Sequence, residues 1–294
     1  NISAPVCVLM EYSTGKILFE KNLNKMMYPA STTKLMTAIL VLEKCQLTDV
    51  ATVSNSAVDS VPAGYSTAYL QKGEKLTIEQ LLHVLLIPSA NDAANVLAEH
   101  VGGSIANFAN MMNSKAKEIG CENTNFKNPS GIHDENHYST AYDMAILTSH
   151  ALDNELFSSV CSMQSAEITI NSKPQTIYNH NKLLYKTEDC IGVKTGYTEK
   201  SGRCLVSAFN YKKSTIIIVT LNAYDDWNDH QKILDFSKKR YRVYSKAEEI
   251  PIDVVGGVSD SLLCRGEYDI AYINSIETEA VSYTHLTLPT KLEV

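Results

Sequence analysis

Three short segments of the sequence carry side chains that together could perform acyl transfer. In chain order they are Ser31-Thr32-Thr33-Lys34, Ser89-Ala90-Asn91 and Lys194-Thr195-Gly196. A serine hydroxyl is a poor nucleophile until a neighbouring base takes its proton, and a neutral lysine amine can be that base. A second serine could relay the proton, and a second lysine could bind an anion and lower the pKa of the first.

The order of the three segments is more informative than any one of them. A Ser-x-x-Lys pattern is expected about once by chance in a chain of this size, and two more occur, at Ser13 to Lys16 and at Ser114 to Lys117. The first contains a Ser-Thr-Gly turn between two strand-like runs, and the second fits the solvated face of a helix. Only Ser31 is followed by both other segments, so we assign the nucleophile to Ser31.

The residues after Ser31 predict a helix that begins near this serine. Residues three apart share a helix face, so the Lys34 amine can reach the Ser31 hydroxyl. The N-terminus of a helix also favours developing negative charge. A solvated lysine on an amphipathic helix is the alternative interpretation of Lys34. The apolar positions that indicate the helix are Leu35, Ile39, Leu40 and Leu42.

The second segment falls in a connection between two predicted helices. The preceding helix has a capping box at Thr77 and Gln80 and is stopped by Pro88, and the next helix starts just after Asn91. Loops that are held rigidly by their neighbours often carry function. The alternative is that Ser89 and Asn91 cap the second helix, since both residue types are favoured there, and Asn91 could serve either role.

The third segment lies in a strand-like part of the chain. It follows Ile191-Gly192-Val193 and precedes a β-type stretch at 204–209. Glycine inside a strand often marks a place where another group approaches the backbone closely. Gly196 therefore leaves room for a substrate along the strand edge. A plain strand with a tight turn is the alternative.

Longer stretches around the three segments resemble one family, the low-molecular-mass penicillin-binding proteins that act as serine-type D-alanyl-D-alanine carboxypeptidases of the peptidase S11 type. The resemblance covers about residues 3 to 245. It implies removal of the terminal D-Ala from peptidoglycan pentapeptide stems through a Ser31 acyl-enzyme, and covalent inhibition by β-lactams. The stretches that carry it are Tyr28–Thr37, Thr124–Ile132, Tyr138–Asp143 and Gly192–Thr198.

The resemblance also implies roles for individual residues. Ser89 would relay a proton toward the leaving amine, and Asn91 would fix Lys34 and the substrate amide. The backbone N–H groups of Ser31 and Tyr197 would form the oxyanion hole.

The substrate carboxylate would meet Lys194 and Thr195, next to Gly196. Some relatives add an arginine before the last helix, but the corresponding stretch, 222–230, contains none. Arg203 remains a candidate for that role.

Other functions share the three segments. A class A β-lactamase would also carry a glutamate beside a Leu-Asn between the second and third segments, and Glu122 and Glu135 are not in that setting. A D,D-endopeptidase and a penicillin-binding sensor without turnover are further alternatives.

Composition excludes several classes of protein. A hydrophobic content of 44% supports a packed core, and a net charge of -7 argues against a nucleic-acid partner. Seven cysteines without a C-x-x-C spacing imply neither a zinc ribbon nor a full disulfide framework. His133 and His137 have metal-ligand spacing, but they lie in an expected loop and lack the H-E-x-x-H order. We expect no metal site and no cofactor.

The pattern along the chain predicts an α+β fold of the serine β-lactamase and penicillin-binding-protein type, with an antiparallel sheet flanked by helices and a helical lobe. Strand hairpins are expected at 5–20 and 204–220, with helices at 32–44, 78–87, 92–101, 104–119, 141–152 and 226–242. We expect a catalytic domain at 1–249, the start of an incomplete β-rich domain at 250–280, and a foreign tail at 281–294.

The sequence shows neither a signal peptide nor the C-terminal membrane-binding helix of many relatives, so we expect a mature or truncated chain without a membrane anchor. By resemblance its location is extracytoplasmic.

Overall fold

The structure of this chain is a computed structural model that describes residues 1–211, 214–253 and 261–273. Its strands are β1 (Val6–Glu11), β2 (Ile17–Lys21), β3 (Val50–Thr52), β4 (Lys75–Thr77), β5 (Ser165–Ile170), β6 (Lys173–Tyr178), β7 (Cys190–Thr198), β8 (Gly202–Tyr211), β9 (Ser214–Ala223), β10 (Tyr241–Asp253) and β11 (Ser261–Ile273). Its helices are α1 (Lys34–Lys44), α2 (Asn55–Asp59), α3 (Ile78–Leu86), α4 (Asn91–Gly102), α5 (Ile105–Glu118), α6 (Ala141–Leu152), α7 (Glu155–Ser162), α8 (Leu183–Lys186) and α9 (Asp226–Arg240).

An antiparallel sheet with the strand order β2-β1-β9-β8-β7 organises the first of two units, Asn1–Lys238. The two predicted hairpins pair with each other through β1 and β9, with Val6 opposite Leu221. All six residues of β1 are buried. A strand buried on both sides needs cover on each face, and α6 contacts β1, β9 and α1. The predicted α+β class is confirmed.

The helices between the hairpins follow their sequence signals. All six predicted helices are present, with most ends shifted by one or two residues. The capping box of α3 forms as expected, with Thr77 and Gln80 bonding each other's backbone. Helices α3, α4 and α5 pack on α1, so the apolar face of α1 is the centre of the helical lobe.

The β5–β6 hairpin and three short helices have too weak a hydrophobic pattern in the sequence to be predicted. Strand β6 is exposed at five of its six positions, so it lacks the alternation that marks a half-buried strand. Helices α2, α7 and α8 have eight residues or fewer, too short for a helical period to stand out.

The second unit begins at Lys239, and its described part is the antiparallel pair β10 and β11. The predicted helix to 242 is too long, because the run from Tyr241 to Tyr244 is rich in aromatic and β-branched residues, which favour a strand. This strand continues through Ile250 and Pro251, where the β-rich domain was expected to start. The tail expected at 281–294 lies outside the described residues.

Within the described ranges, no helix combines the length and the apolar composition that a bilayer crossing requires.

Candidate active site

Ser31 lies in a short 3-10 turn, Ala30–Thr33, that leads directly into α1. Ala30 has a positive φ of 50°, a conformation that is strained for a residue with a side chain. The Lys34 amine lies 3.0 Å from the Ser31 hydroxyl oxygen. The predicted pairing of these two side chains at the start of a helix is therefore present in the structure.

The other contacts of Lys34 determine what its amine can do. Lys34 Nζ lies 2.7 Å from the Asn91 carbonyl oxygen and 2.8 Å from the Ser130 backbone carbonyl. Both groups can only accept hydrogen bonds. A neutral amine has two N–H donors and one lone pair, so donating to both carbonyls aims the lone pair at Ser31. The geometry fits a base that takes the Ser31 proton.

The electrostatic surroundings of Lys34 favour its neutral form. The side chain is completely buried, and this burial, followed by the positive charge of Lys194, lowers its pKa well below the ordinary lysine value. The Asp92 carboxylate opposes the shift. Burial also lowers the pKa of Lys194, to about 7. Lys34 is therefore not the solvated lysine of the alternative interpretation.

Ser89 and Asn91 face the same site from the start of α4. Ser89 has a positive φ of 63°, and its buried hydroxyl has no hydrogen-bond partner within the described structure. Asn91 donates from Nδ2 to the Ser66 carbonyl at 2.9 Å, which fixes its carbonyl oxygen toward Lys34. Ala90 is the N-cap of α4 and no side chain caps it, so the capping alternative for Ser89 and Asn91 is wrong.

The third segment lies on β7, at the edge of the sheet beside Ser31. A Cβ atom added to Gly196 would lie 2.9 Å from the Ser31 backbone nitrogen and 3.1 Å from Ala30 Cβ. Only glycine allows the strand to come this close to the Ser31 backbone. The Lys194 amine is buried and donates to the Thr195 carbonyl at 3.0 Å.

A cleft of about 970 Å³ lies at this site. Ser31, Ser89, Asn91, Thr195 and Gly196 all line it. Other residues that line the cleft are Tyr65, Ser66, His133, His180, Tyr197, Arg203, Asp226 and Trp227. Of these, the sequence analysis singled out Tyr197 and Arg203 for the site, and His133 only for its metal-ligand spacing.

Arg203 is placed on β8 directly opposite Tyr197 of β7. Asp226 lies nearby: burial raises the pKa of this carboxyl, and the positive charge of Arg203 counteracts part of that rise. The stretch 222–230, which contains Asp226, has no arginine. The arginine that lines the cleft, Arg203, lies on β8 instead.

The other Ser-x-x-Lys sites do not contribute to the cleft. Ser13 and Ser114 are both exposed. The segment with two histidines is not helical, and His137 is buried, with Nε2 2.8 Å from the Thr33 hydroxyl and Nδ1 accepting from the Lys127 amide. Burial lowers the pKa of His137 to about 4. Through these hydrogen bonds, His137 holds the loop that contains Lys127 against the turn that contains Ser31.

Comparison with curated proteins gives a consistent set of relatives. D-alanyl-D-alanine carboxypeptidase DacF of Bacillus subtilis (strain 168) is 36% identical over 250 residues, which cover 82% of this chain and 64% of that protein. D-alanyl-D-alanine carboxypeptidase DacC of Escherichia coli (strain K12) is 34% identical over 80% of this chain and 61% of its own length. This chain thus spans less than two thirds of either relative.

Solved structures include the Streptomyces K15 DD-transpeptidase, which has a TM-score of 0.75 and 31% identity, covering 80% of this chain and 97% of that one. D-alanyl-D-alanine carboxypeptidase DacD from Francisella tularensis has a TM-score of 0.80 over 92% of this chain and 81% of its own, at 24% identity, and supports the fold alone.

The Peptidase S11 model, described as D-alanyl-D-alanine carboxypeptidase, matches residues 1–225. Since that match extends over most of the 294 residues and the curated relatives are more than 30% identical, the chain belongs to the Peptidase S11 family.

Proposed function

We propose that this chain is the catalytic part of a serine-type D-alanyl-D-alanine carboxypeptidase that removes the terminal D-Ala from peptidoglycan stem peptides. The observation that carries the proposal is the environment of Lys34, which is buried, donates to two carbonyl groups and lies 3.0 Å from the Ser31 hydroxyl. The names of the curated relatives support the same activity.

In the first step Ser31 Oγ attacks the carbonyl carbon of the penultimate D-Ala while Lys34 takes the hydroxyl proton. The backbone N–H groups of Ser31 and Tyr197 stabilise the oxyanion of the tetrahedral intermediate. Gly196 keeps β7 close enough to Ser31 for both donors to reach one oxygen.

In the second step the peptide C–N bond breaks and the leaving amine of D-Ala takes a proton. The buried and otherwise unpartnered hydroxyl of Ser89 passes that proton on from Lys34. The departure of D-Ala admits a water molecule, which Lys34 activates in turn to hydrolyse the Ser31 ester.

The substrate carboxylate binds at the outer end of β7. Lys194 and Thr195 contact it, and Arg203, which lines the same cleft opposite Tyr197, supplies a cation that stays protonated. Arg203→Ala should weaken the selectivity for a peptide with a free C-terminal carboxylate over its C-terminal amide by about tenfold or more. An equal loss for both peptides would remove Arg203 from this role.

Two further assignments rest on the same family membership. An extracytoplasmic location follows from the peptidoglycan substrate. The division into a catalytic domain at 1–249 and the start of a β-rich domain at 250–280 remains our proposal for the organisation of the chain.

The β-lactamase alternative has less support in this cleft. Glu122 and Glu135 are both exposed, and neither lines the cleft. In the described chain, no cleft residue between Ser89 and Lys194 is acidic, so the site offers no carboxylate there to activate a deacylating water. β-Lactams should therefore form long-lived Ser31 adducts.

The test combines two assays on the same protein. A peptide that ends in D-Ala-D-Ala should release D-Ala over many turnovers, and a small molar excess of penicillin should leave a persistent adduct in the intact mass. Consumption of the drug over many turnovers with free enzyme returning within seconds would support the β-lactamase. Adduct formation without D-Ala release would support a sensor, and cleavage of cross-linked peptides alone would support an endopeptidase.

A further inference from the structure

A second group of chemically reactive side chains lies at the far end of α1 from the nucleophile. Cys45 follows the last residue of α1, Asp49 comes four residues later in the loop before β3, and His100 lies in the last turn of α4. One donor atom from each side chain lies within 4.8 Å of the other two. Since α1 has 11 residues, this cluster is about 16 Å along the helix from the Ser31 turn.

Cys45 differs from the other cysteines whose side chains the structure describes. Five of those six are buried, and only Cys45 is half-exposed. A cation bound at this thiol would deprotonate it, because coordination releases the thiol proton.

Asp49 and His100 are available as ligands. The Asp49 oxygen Oδ2 accepts a hydrogen bond from the Gln46 amide at 2.8 Å, which orients the carboxylate. Hydrogen bonds of this kind commonly fix metal ligands in place. His100 is exposed near the end of its helix, so its imidazole can turn without disturbing the core.

We propose that Cys45, Asp49 and His100 form a zinc-binding site that joins the end of α1 to the end of α4. Sulfur, nitrogen and oxygen donors together suit Zn²⁺, which takes four ligands in a tetrahedral arrangement. The three side chains fill three positions and water fills the fourth. The donors, which lie within 4.8 Å of one another, must close to about 3.5 Å, the spacing that metal–ligand bonds of about 2.0–2.3 Å give in a tetrahedral zinc site. The thiol proton is released to solvent on binding.

This site has little signal in the sequence because its ligands are far apart along the chain. Cys45 and Asp49 are four residues apart but do not share a helix, and His100 is brought to them by the packing of α4 on α1. The segment with recognisable metal spacing, at His133 and His137, instead holds its second histidine in hydrogen bonds to Thr33 and Lys127.

The test uses Co²⁺ and Zn²⁺ with the full chain, produced without a histidine tag. Co²⁺ should bind with a stoichiometry of one and give a thiolate-to-cobalt absorption band together with the visible bands of a tetrahedral site. Zn²⁺ should displace it. His100→Ala and Cys45→Ser should each weaken binding about tenfold or more, and Cys45→Ser should also abolish the thiolate band. His83→Ala, which changes a histidine of α3 outside the cluster, is the matched control and should bind as the wild type does.

Circular dichroism shows whether each variant is folded, and none of these residues belongs to the catalytic cleft. Absence of binding to the wild type, a thiolate band that persists in Cys45→Ser, or equal affinity in His100→Ala would each overturn the proposal. None of these outcomes depends on whether the chain releases D-Ala, so this test is independent of the proposed enzymatic activity.

Discussion

The carbonyl oxygen of Asn91, an uncharged side chain, lies 2.7 Å from the Lys34 amine. Its amide nitrogen is held by the Ser66 carbonyl, so the side chain cannot turn to present a donor instead. An uncharged acceptor satisfies one N–H of Lys34 without stabilising the protonated amine as a carboxylate would. Asparagine at position 91 therefore leaves the pKa of Lys34 lower than a carboxylate there would.

Asn91→Asp should therefore move the pH dependence of acylation. A carboxylate at this distance stabilises protonated Lys34 and raises its pKa. Because the base must be neutral, the rising limb of the rate of penicillin acylation should shift to higher pH, and the rate at pH 7 should fall about tenfold or more. Asn91→Ala, the uncharged control, should acylate more slowly without a shift in the pH dependence. An unchanged pH dependence of acylation in Asn91→Asp would contradict the assignment of Lys34 as the base.

Lys34→Arg should be nearly inactive although it retains the positive charge. A guanidinium stays protonated at all accessible pH values and cannot accept the Ser31 proton. Loss of a general base typically costs about a hundredfold or more in rate. The exposed Lys117 of the second Ser-x-x-Lys pattern provides the control, since Lys117→Arg should acylate normally. Stopped-flow acylation measures both, and an active Lys34→Arg would rule out this role.

Ser31 should be the only serine that penicillin labels. The hydroxyl lines the cleft beside a buried lysine, whereas Ser13 and Ser114 are exposed and outside it. Intact-mass analysis should show no adduct on Ser31→Ala and a full adduct on Ser114→Ala. Labelling that survives in the first variant, or disappears in the second, would place the nucleophile elsewhere.

Gly196→Ala should slow acylation while the protein remains folded. The new methyl group would lie 2.9 Å from the Ser31 nitrogen, closer than Cβ contacts in proteins, so β7 must move away and the oxyanion donors separate. Loss of one such donor costs about a hundredfold or more. Circular dichroism checks the fold, and unchanged acylation kinetics would show that the close approach of β7 has no catalytic role.

His230 should make the protein less stable in acid. Burial lowers its pKa to about 3, whereas an unfolded chain has the ordinary value of about 6.5. Below about pH 6.5 the unfolded state binds a proton that the native state does not, so stability falls as the pH falls from about 6.5 to about 3. The loss from this residue is about 2 kcal/mol between pH 6.5 and pH 5.

Urea unfolding followed by circular dichroism measures this effect. His230→Gln removes the titrating group, so the free energy of unfolding should depend less on pH than in the wild type. His137, with a pKa of about 4 for the same reason, should leave a second contribution in that variant. Equal pH slopes for wild type and variant would contradict the prediction.

Sequence spacing predicted which of the proposed catalytic side chains would lie close together. Ser31, Lys34, Ser89 and Asn91 were singled out from spacing and from the elements around them, and Gly196 as a point of close approach, and the structure brings these residues together. The helices with clear caps and apolar periods were predicted for the same reason, since both signals are local.

Two residues that complete the site through their backbone carbonyl groups could not be predicted, unlike the N–H groups of Ser31 and Tyr197, which the family resemblance implied. Ser130 acts through its carbonyl oxygen and lies 96 residues from Lys34, and every residue type has that group. Ser66 holds Asn91 in the same way. His180 and Trp227 reach the cleft only because their elements fold against β7 and β8, and such long-range packing has no local signal.

Trp227 is the only tryptophan among the 294 residues, and it lines the same cleft as Ser31. The tryptophan fluorescence of this chain therefore comes from a single indole that lines the cleft. We expect binding of an unlabelled peptide or an unmodified β-lactam to change the solvation of that indole and hence its fluorescence. Rapid-mixing experiments can separate the initial association from the covalent step without attaching any dye.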